Sequence, residues 1–234
     1  MAQKKLFFFL LRLVAEANAK QCPPCGSTPV PYPLSTGADC GDPSYKIRCV
    51  NASLVFDTVN GSYPITSITP ATQRLVIRPA PFVSAASCVT TDLPDHGIQL
   101  KDSLPFNVTS SNTIMLFNCT TNVLESPLNC TAASLCHVYA NATTDAAACG
   151  PLPLCCTFVT GGSTTAHSIR IRERGCSAYR SFVNLNPGGT PVAQWAERAG
   201  LELQWALPVP SELSAVESRQ EELKDVTKEE QRRW

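Results

Sequence analysis

The chain has 234 residues, with 44% hydrophobic and 16% charged side chains, 12 cysteines and a formal net charge of zero. A balance of 19 bases and 19 acids offers no global attraction to a polyanion, and no nucleic-acid partner is expected. The length fits one large or two small domains at about 100–200 residues each, with enough apolar residues for a real core.

The N-terminus has the order of a secretory signal. Lys4 and Lys5 precede an apolar stretch from Leu6 to Val14, interrupted by Arg12, and Ala17-Asn18-Ala19 supplies the small-x-small cleavage pattern. Residues 1–19 are therefore expected to be a signal peptide. The stretch falls far short of the roughly 20 apolar residues a spanning helix needs, and no other segment approaches that length.

An even number of cysteines in a secreted chain implies up to six bridges, each restricting the unfolded ensemble by about 2–4 kcal/mol. The twelve are Cys22, Cys25, Cys40, Cys49, Cys88, Cys119, Cys130, Cys136, Cys149, Cys155, Cys156 and Cys176, and their connectivity cannot be read from spacing. Zinc is the rival reading of Cys22-Pro-Pro-Cys25. A second ligand-spaced pair is missing, because Cys155 and Cys156 are adjacent in sequence, so neither a metal nor a cofactor is expected. Six Asn-x-Ser/Thr sequons, at Asn51, Asn60, Asn107, Asn118, Asn129 and Asn141, read as exposed glycan-bearing positions. Asn118 and Asn129 each precede a cysteine, where early disulfide formation would compete with modification, so lower occupancy is expected there.

Short runs rich in β-branched or aromatic residues recur: Tyr45–Val50, Arg74–Arg78, Thr113–Phe117, Cys155–Val159, Ser168–Arg172 and Leu201–Trp205. With 19 prolines and 12 glycines punctuating them, they predict a mainly β fold. The expected class is a disulfide-rich, loop-rich antiparallel β ectodomain ending in a short charged helix or disordered tail. Residues 211–234 are that tail, with seven acids and five bases, no cysteine and no sequon. Residues 20–150 form the expected cysteine-rich domain, and 151–210 an associated β segment.

The opening Cys25-Gly-Ser-Thr-Pro-Val-Pro-Tyr-Pro-Leu, followed by Gly37-Ala-Asp-Cys-Gly-Asp-Pro-Ser-Tyr-Lys-Ile-Arg-Cys49, resembles the galacturonan-binding ectodomain of plant wall-associated receptor kinases. Arg74–Pro81, Pro105–Thr109, Leu116–Thr120, Cys155–Phe158 and Gly200–Leu207 are similar, in the same order, to the wall-associated-kinase-like subgroup. The resemblance covers roughly residues 22 to 210. It implies a cell-surface receptor whose ectodomain binds pectin, or its oligogalacturonides, in the cell wall, with full-length members anchored in the plasma membrane. The glycine-rich phosphate loop, His-Arg-Asp and Asp-Phe-Gly of a kinase do not occur here, so the chain is expected to bind without kinase activity. It reads either as a secreted extracellular protein or as a truncated receptor. The alternative function is a secreted protein-interaction module, such as a defence factor, an inhibitor or a receptor partner.

A uronate-binding face wants Arg or Lys at intervals, since Arg pairs a carboxylate bidentately. Over residues 20–210 there are eleven bases and eleven acids, so attraction has to be local. Arg170, Arg172 and Arg174 alternate with Ile169 and Ile171, which on a strand places all three on one face, and Arg180 follows. Lys46 and Arg48 form a smaller group, and Arg74 and Arg78 flank another run. The competing reading of such a ladder is a solvated strand face paired to acids on a neighbour. Tyr32, Tyr45 and Tyr179 are candidate sugar-stacking rings, although burial is the commoner fate of Tyr. Catalysis is not expected. Asp92 and Asp95 lie in turn-like sequence, His137 beside Cys136 reads as structural, His96 sits in a turn, and no nucleophile arrangement includes His167.

Overall fold

The computed structural model describes residues 21–84, 87–93, 97–120, 128–144, 146–149, 154–160 and 175–208. The expected signal peptide, the Arg170–Arg174 ladder, Asp95, His96, His167 and the charged tail lie outside the described residues.

In chain order the strands are β1 (Cys22–Cys25), β2 (Thr28–Val30), β3 (Arg48–Val50), β4 (Ser53–Asp57), β5 (Ser62–Thr69), β6 (Arg74–Ile77) and β7 (Phe82–Ser84). They continue with β8 (Ser87–Thr90), β9 (Phe106–Val108), β10 (Asn112–Phe117), β11 (Cys156–Val159), β12 (Ala178–Val183) and β13 (Leu201–Trp205). Among the described residues one α-helix, α1 (Leu135–Ala142), interrupts them. The fold is mainly β and antiparallel throughout its strand pairs, as the alternating runs predict.

A six-stranded sheet runs β3-β4-β5-β6-β13-β9, and a three-stranded sheet runs β11-β10-β12. The first is one-sided. Leu54 and Phe56 of β4, and Leu75 and Ile77 of β6, are buried, while their alternating neighbours are at least partly exposed. The central strand β10 is buried along its whole length, so its period-2 geometry feeds two cores. Ile114 and Leu116 join the core shared with the six-stranded sheet, whereas Met115 and Phe117 join a second core with Tyr139 of α1, Phe182 and Trp195. Tyr139 stacks on Trp195 at 6.2 Å between ring centroids and meets Phe182 edge-on at 5.1 Å.

The short helix α1 starts where Ser134 caps it, accepting a hydrogen bond from the His137 amide. Ser134 Oγ also lies 2.9 Å from His137 Nδ1 and donates to the Cys155 carbonyl, which accounts for His137 structurally.

All twelve cysteines are paired: Cys22–Cys40, Cys25–Cys49, Cys88–Cys149, Cys119–Cys176, Cys130–Cys156 and Cys136–Cys155. Cys155 and Cys156 are adjacent and therefore project to opposite faces. Cys155 enters the second core and bonds to α1, while Cys156 enters the first and holds Cys130.

One finding differs from the sequence expectations. The run Tyr45–Val50 is not one strand, since Pro43–Tyr45 is a 3-10 helix and Lys46 lies ahead of β3. Asp42 caps that helix and Pro43 sits at its first position, which favours a helical start over extension. The segment 151–210 contributes strands to both sheets. Its β13 inserts between β6 and β9, and its β11 and β12 flank β10, so both sheets draw on both segments. A carboxylate ties the layers. Asp92 Oδ2 accepts hydrogen bonds from Tyr63 of β5 at 2.8 Å and from Tyr179 of β12 at 2.6 Å.

Candidate functional site

The opening motif folds back on itself between Pro33 and Asp42. Gly41 has φ +65°, and a Cβ there would meet the Leu34 carbonyl oxygen at 2.3 Å, so glycine is needed for the chain to fold back this tightly. That return lets the Asp42 amide donate to the Pro33 carbonyl at 2.9 Å. Asp42 Oδ1 then accepts from the Ser44 amide at 2.9 Å, fixing the side chain at the mouth of the 3-10 helix. Tyr45, at 4% exposure, packs edge-on against Phe106 of β9, with 6.1 Å between centroids, and Phe106 packs against Phe56.

These residues form one wall of an open cleft of about 410 Å³. Asp42, Ser44 and Tyr45 line it together with Asp102, Ser103, Leu104 and Pro105 of the segment before β9 and with Pro208 after β13. The cleft is within the size of small-molecule sites, about 300–1,000 Å³. Burial first, then Asp42 and Tyr32, push the Tyr45 hydroxyl above its ordinary pKa, which keeps it a neutral hydrogen-bonding group. Tyr32 is 41% exposed. Of the three tyrosines considered as stacking rings, Tyr45 and Tyr179 are buried, at 4% and 0%, and only Tyr32 offers a ring to solvent. Asp42 and Asp102 were not singled out in the sequence. The signal that points to Asp42 is the Gly-Asp-Pro-Ser string, a turn followed by a helix cap.

The candidate cations are distributed differently. Arg48 is clamped bidentately by Asp57, with Nε–Oδ2 and Nη2–Oδ1 both 2.6 Å, and donates to Ser62 Oγ at 3.0 Å. The hydrogen bond from Arg48 is the main cause of the lowered Asp57 pKa, and its counterpart raises that of Arg48. Arg180 lies over the Phe82 ring, 3.9 Å from guanidinium carbon to centroid, and donates to the Ala80 carbonyl. Arg74 pairs with Glu202 of β13 at 3.0 Å. Glu202 Oε1 also accepts from Thr109 and Ser111, and its backbone is held by Asn112, so this group pins β13 to its neighbours. Lys46 and Arg78 are exposed. Neither Lys46, Arg48 nor Arg180 lines the cleft.

Asn51, Asn60, Asn118, Asn129 and Asn141 are exposed, and Asn107 is half-buried on β9, the edge strand. Asn118 Nδ2 donates to Ser177 Oγ at 3.1 Å, and Asn129 Oδ1 accepts from the amide and hydroxyl of Thr131.

Comparison with known proteins bears directly on the opening motif and the cleft wall it builds. Residues 22–79 match the family described as wall-associated receptor kinase galacturonan-binding. The chain is 50% identical over 192 residues, 80% of its length, to wall-associated receptor kinase-like 20 of Arabidopsis thaliana. This chain is an ectodomain of the wall-associated-receptor-kinase type. Its likeness to wall-associated receptor kinase-like 15 of the same plant is 49% over 197 residues, 81% of the chain. The ectodomain spans 29% and 30% of those two relatives. No solved structure matches it significantly. The family match holds Tyr32, Asp42, Ser44 and Tyr45, and the relatives extend the likeness well past it, in keeping with sheets that draw on both segments. Among the described residues no helix is long and apolar enough to cross a membrane.

Proposed function

We propose that this ectodomain binds pectin in the plant cell wall through its galacturonosyl residues, acting as a binding module and not as an enzyme. The observation that carries the reading is the match of residues 22–79 to a family defined by galacturonan binding. The cleft supports it, since its first wall is built from that segment. The ligand is a polymer of uronic acids, so free carboxylates along it call for cations, and Arg170, Arg172 and Arg174 are the proposed contact group. Arg48 and Arg180 are already engaged within the fold, which favours Lys46 over them as an additional contact. Pairing by exposed cations is screened by salt.

The test is binding of the purified, secreted chain to pectin with salt titrated. Binding is expected to weaken as salt rises, and to weaken further when Arg170, Arg172 and Arg174 are replaced together by Ala. Undiminished binding by the triple variant removes those arginines as the contact group. Absence of binding to any pectin, with a wall protein retained instead, overturns the polysaccharide reading in favour of a protein-interaction module.

A further inference from the structure

Among the exposed sequon asparagines, Asn129 pairs with the edge of a sheet. Its amide donates to the Thr157 carbonyl and its carbonyl accepts from the Thr157 amide, both at 2.8 Å, an antiparallel bridge on the outer side of β11. That strand is an edge of the three-stranded sheet. The Asn129 side chain is held as firmly as its backbone, since Oδ1 accepts from the Thr131 amide at 3.1 Å and from the Thr131 hydroxyl at 2.9 Å. Both bonds fall on the oxygen, no described residue engages Nδ2, and the residue is exposed. Asn118 differs. Its Nδ2 donates to Ser177 Oγ, which donates in turn to the Cys88 carbonyl and ties the end of β10 to β8.

Thr157 turns its amide and carbonyl outward to Asn129, and hydrogen-bonding direction alternates along an antiparallel strand, so Val159 turns its own pair outward as well. Among the described residues nothing pairs with them, and Val159 is 60% exposed. Thr157 and Val159 share a face, which makes Val159 a diagonal neighbour of Asn129, about 7–8 Å away. An open apolar strand end of this kind templates association with another chain. We infer that Asn129 carries an N-linked oligosaccharide whose first sugars cover the open end of β11 at Val159. The modification joins Nδ2 to C1 of the first sugar; the bond from C1 to the pyrophosphate of a lipid-linked oligosaccharide breaks, and Nδ2 loses one proton. Thr131 supplies the hydroxyl of the acceptor triplet. Cys130 competes little, because its partner Cys156 lies 26 residues further along the chain and the triplet is complete before that bridge can close. High occupancy at Asn129 replaces the low occupancy that its place beside a cysteine suggests. The inference stands apart from the pectin reading and does not depend on it.

The experiment produces the full chain through the secretory pathway of plant cells and reads site occupancy by mass spectrometry of its peptides. Near-complete modification of Asn129 is expected, and an unmodified Asn129 in the wild-type chain overturns the inference. Thr131→Ala abolishes the acceptor triplet without adding charge, and is expected to remove the mass of one oligosaccharide. In size-exclusion chromatography with light scattering, the variant is expected to shift, as concentration rises, from the monomer to at least twice its mass. Because Thr131→Ala also removes one of the two hydrogen bonds to Oδ1, Asn129→Asp, which keeps both and removes Nδ2, is the second variant. It is expected to lose the same mass, to keep its melting temperature and to associate in the same way. Adding Val159→Lys to either variant places a charge on the open strand end and is expected to restore the monomer. Thr131→Ser keeps the triplet and is expected to behave as wild type. Monomers at every concentration in both Thr131→Ala and Asn129→Asp overturn the covering of β11, as does association that Val159→Lys leaves unchanged.

Discussion

At the level of single residues, what a side chain can do is set by whether the fold has already used it. Arg48 alternates with Lys46 in sequence and reads as half of a basic pair, yet its guanidinium is held by Asp57 and Ser62 across β3, β4 and β5. Nothing in the local string shows this, because Asp57 lies nine residues away on the neighbouring strand. Asp57 has a folded pKa below its ordinary value, so the pair contributes stability above the unfolded carboxylate range. That contribution is lost as pH falls through the lowered pKa. Arg48→Ala is therefore expected to lower the melting temperature slightly at neutral pH, with the difference from wild type vanishing in acid. Thermal melts across pH check this, and a difference that grows toward low pH refutes it. The exposed, strand-edge position of the pair keeps the effect small. The same logic separates the tyrosines, for Tyr179 is sealed against Asp92 while Tyr32 is left facing water.

Among elements, legibility followed periodicity. The runs at Arg74–Arg78, Thr113–Phe117 and Leu201–Trp205 are strands close to where alternation and β-branching put them. The longest strand among the described residues, β5, was not evident, since Pro64 and four Ser/Thr positions dilute its pattern, and only Tyr63 on it is buried. The strand β12 was likewise missed. Its buried Ala178 and Ser181 are small residues packed against β10, and neither gives a strong hydropathy signal. Disulfides connect elements that hydrogen bonding leaves apart. Cys88–Cys149 joins β8 to the 3-10 turn after α1, across 61 residues, and no sheet spans that gap. Closing a loop of about that length is worth about 4 kcal/mol in the chain-entropy account. Replacing both Cys88 and Cys149 by Ala is expected to cost an amount of that order, read as a fall in the denaturation midpoint. Retention of full stability in the pair variant shows that strain or residual unfolded structure cancels the effect.

For the molecule as a whole, the order of strands matters more than their number. The segment after residue 150 supplies β13 to the interior of the six-stranded sheet and both neighbours of β10. A fragment of residues 21–150 therefore leaves β6 and β9 without β13, their shared partner, and uncovers both hydrogen-bonding edges of a strand that is buried throughout. Such a fragment is expected to aggregate or to lack a cooperative thermal transition, whereas residues 21–208 melt cooperatively. Size-exclusion chromatography and calorimetry distinguish the two, and a monomeric, cooperatively melting 21–150 fragment refutes the interleaved arrangement. The exposed edge of an unpaired β6 or β9 is the physical cause, since free strand edges template association.

By itself the sequence determined the chemistry that does not depend on distance: paired cysteines, the positions of the sequons, a mainly β pattern, and a motif that marks the ectodomain family. These are properties of local composition and short-range spacing, so they survive without coordinates. The tertiary structure decided which groups remain available. It spent Arg48 and Arg180 on Asp57 and Phe82, buried Tyr45 and Tyr179, and brought Asp42 into one cleft with Asp102, sixty residues later in the chain. Long-range pairing is governed by which strands share a sheet, and no local pattern encodes that β13 lies between β6 and β9.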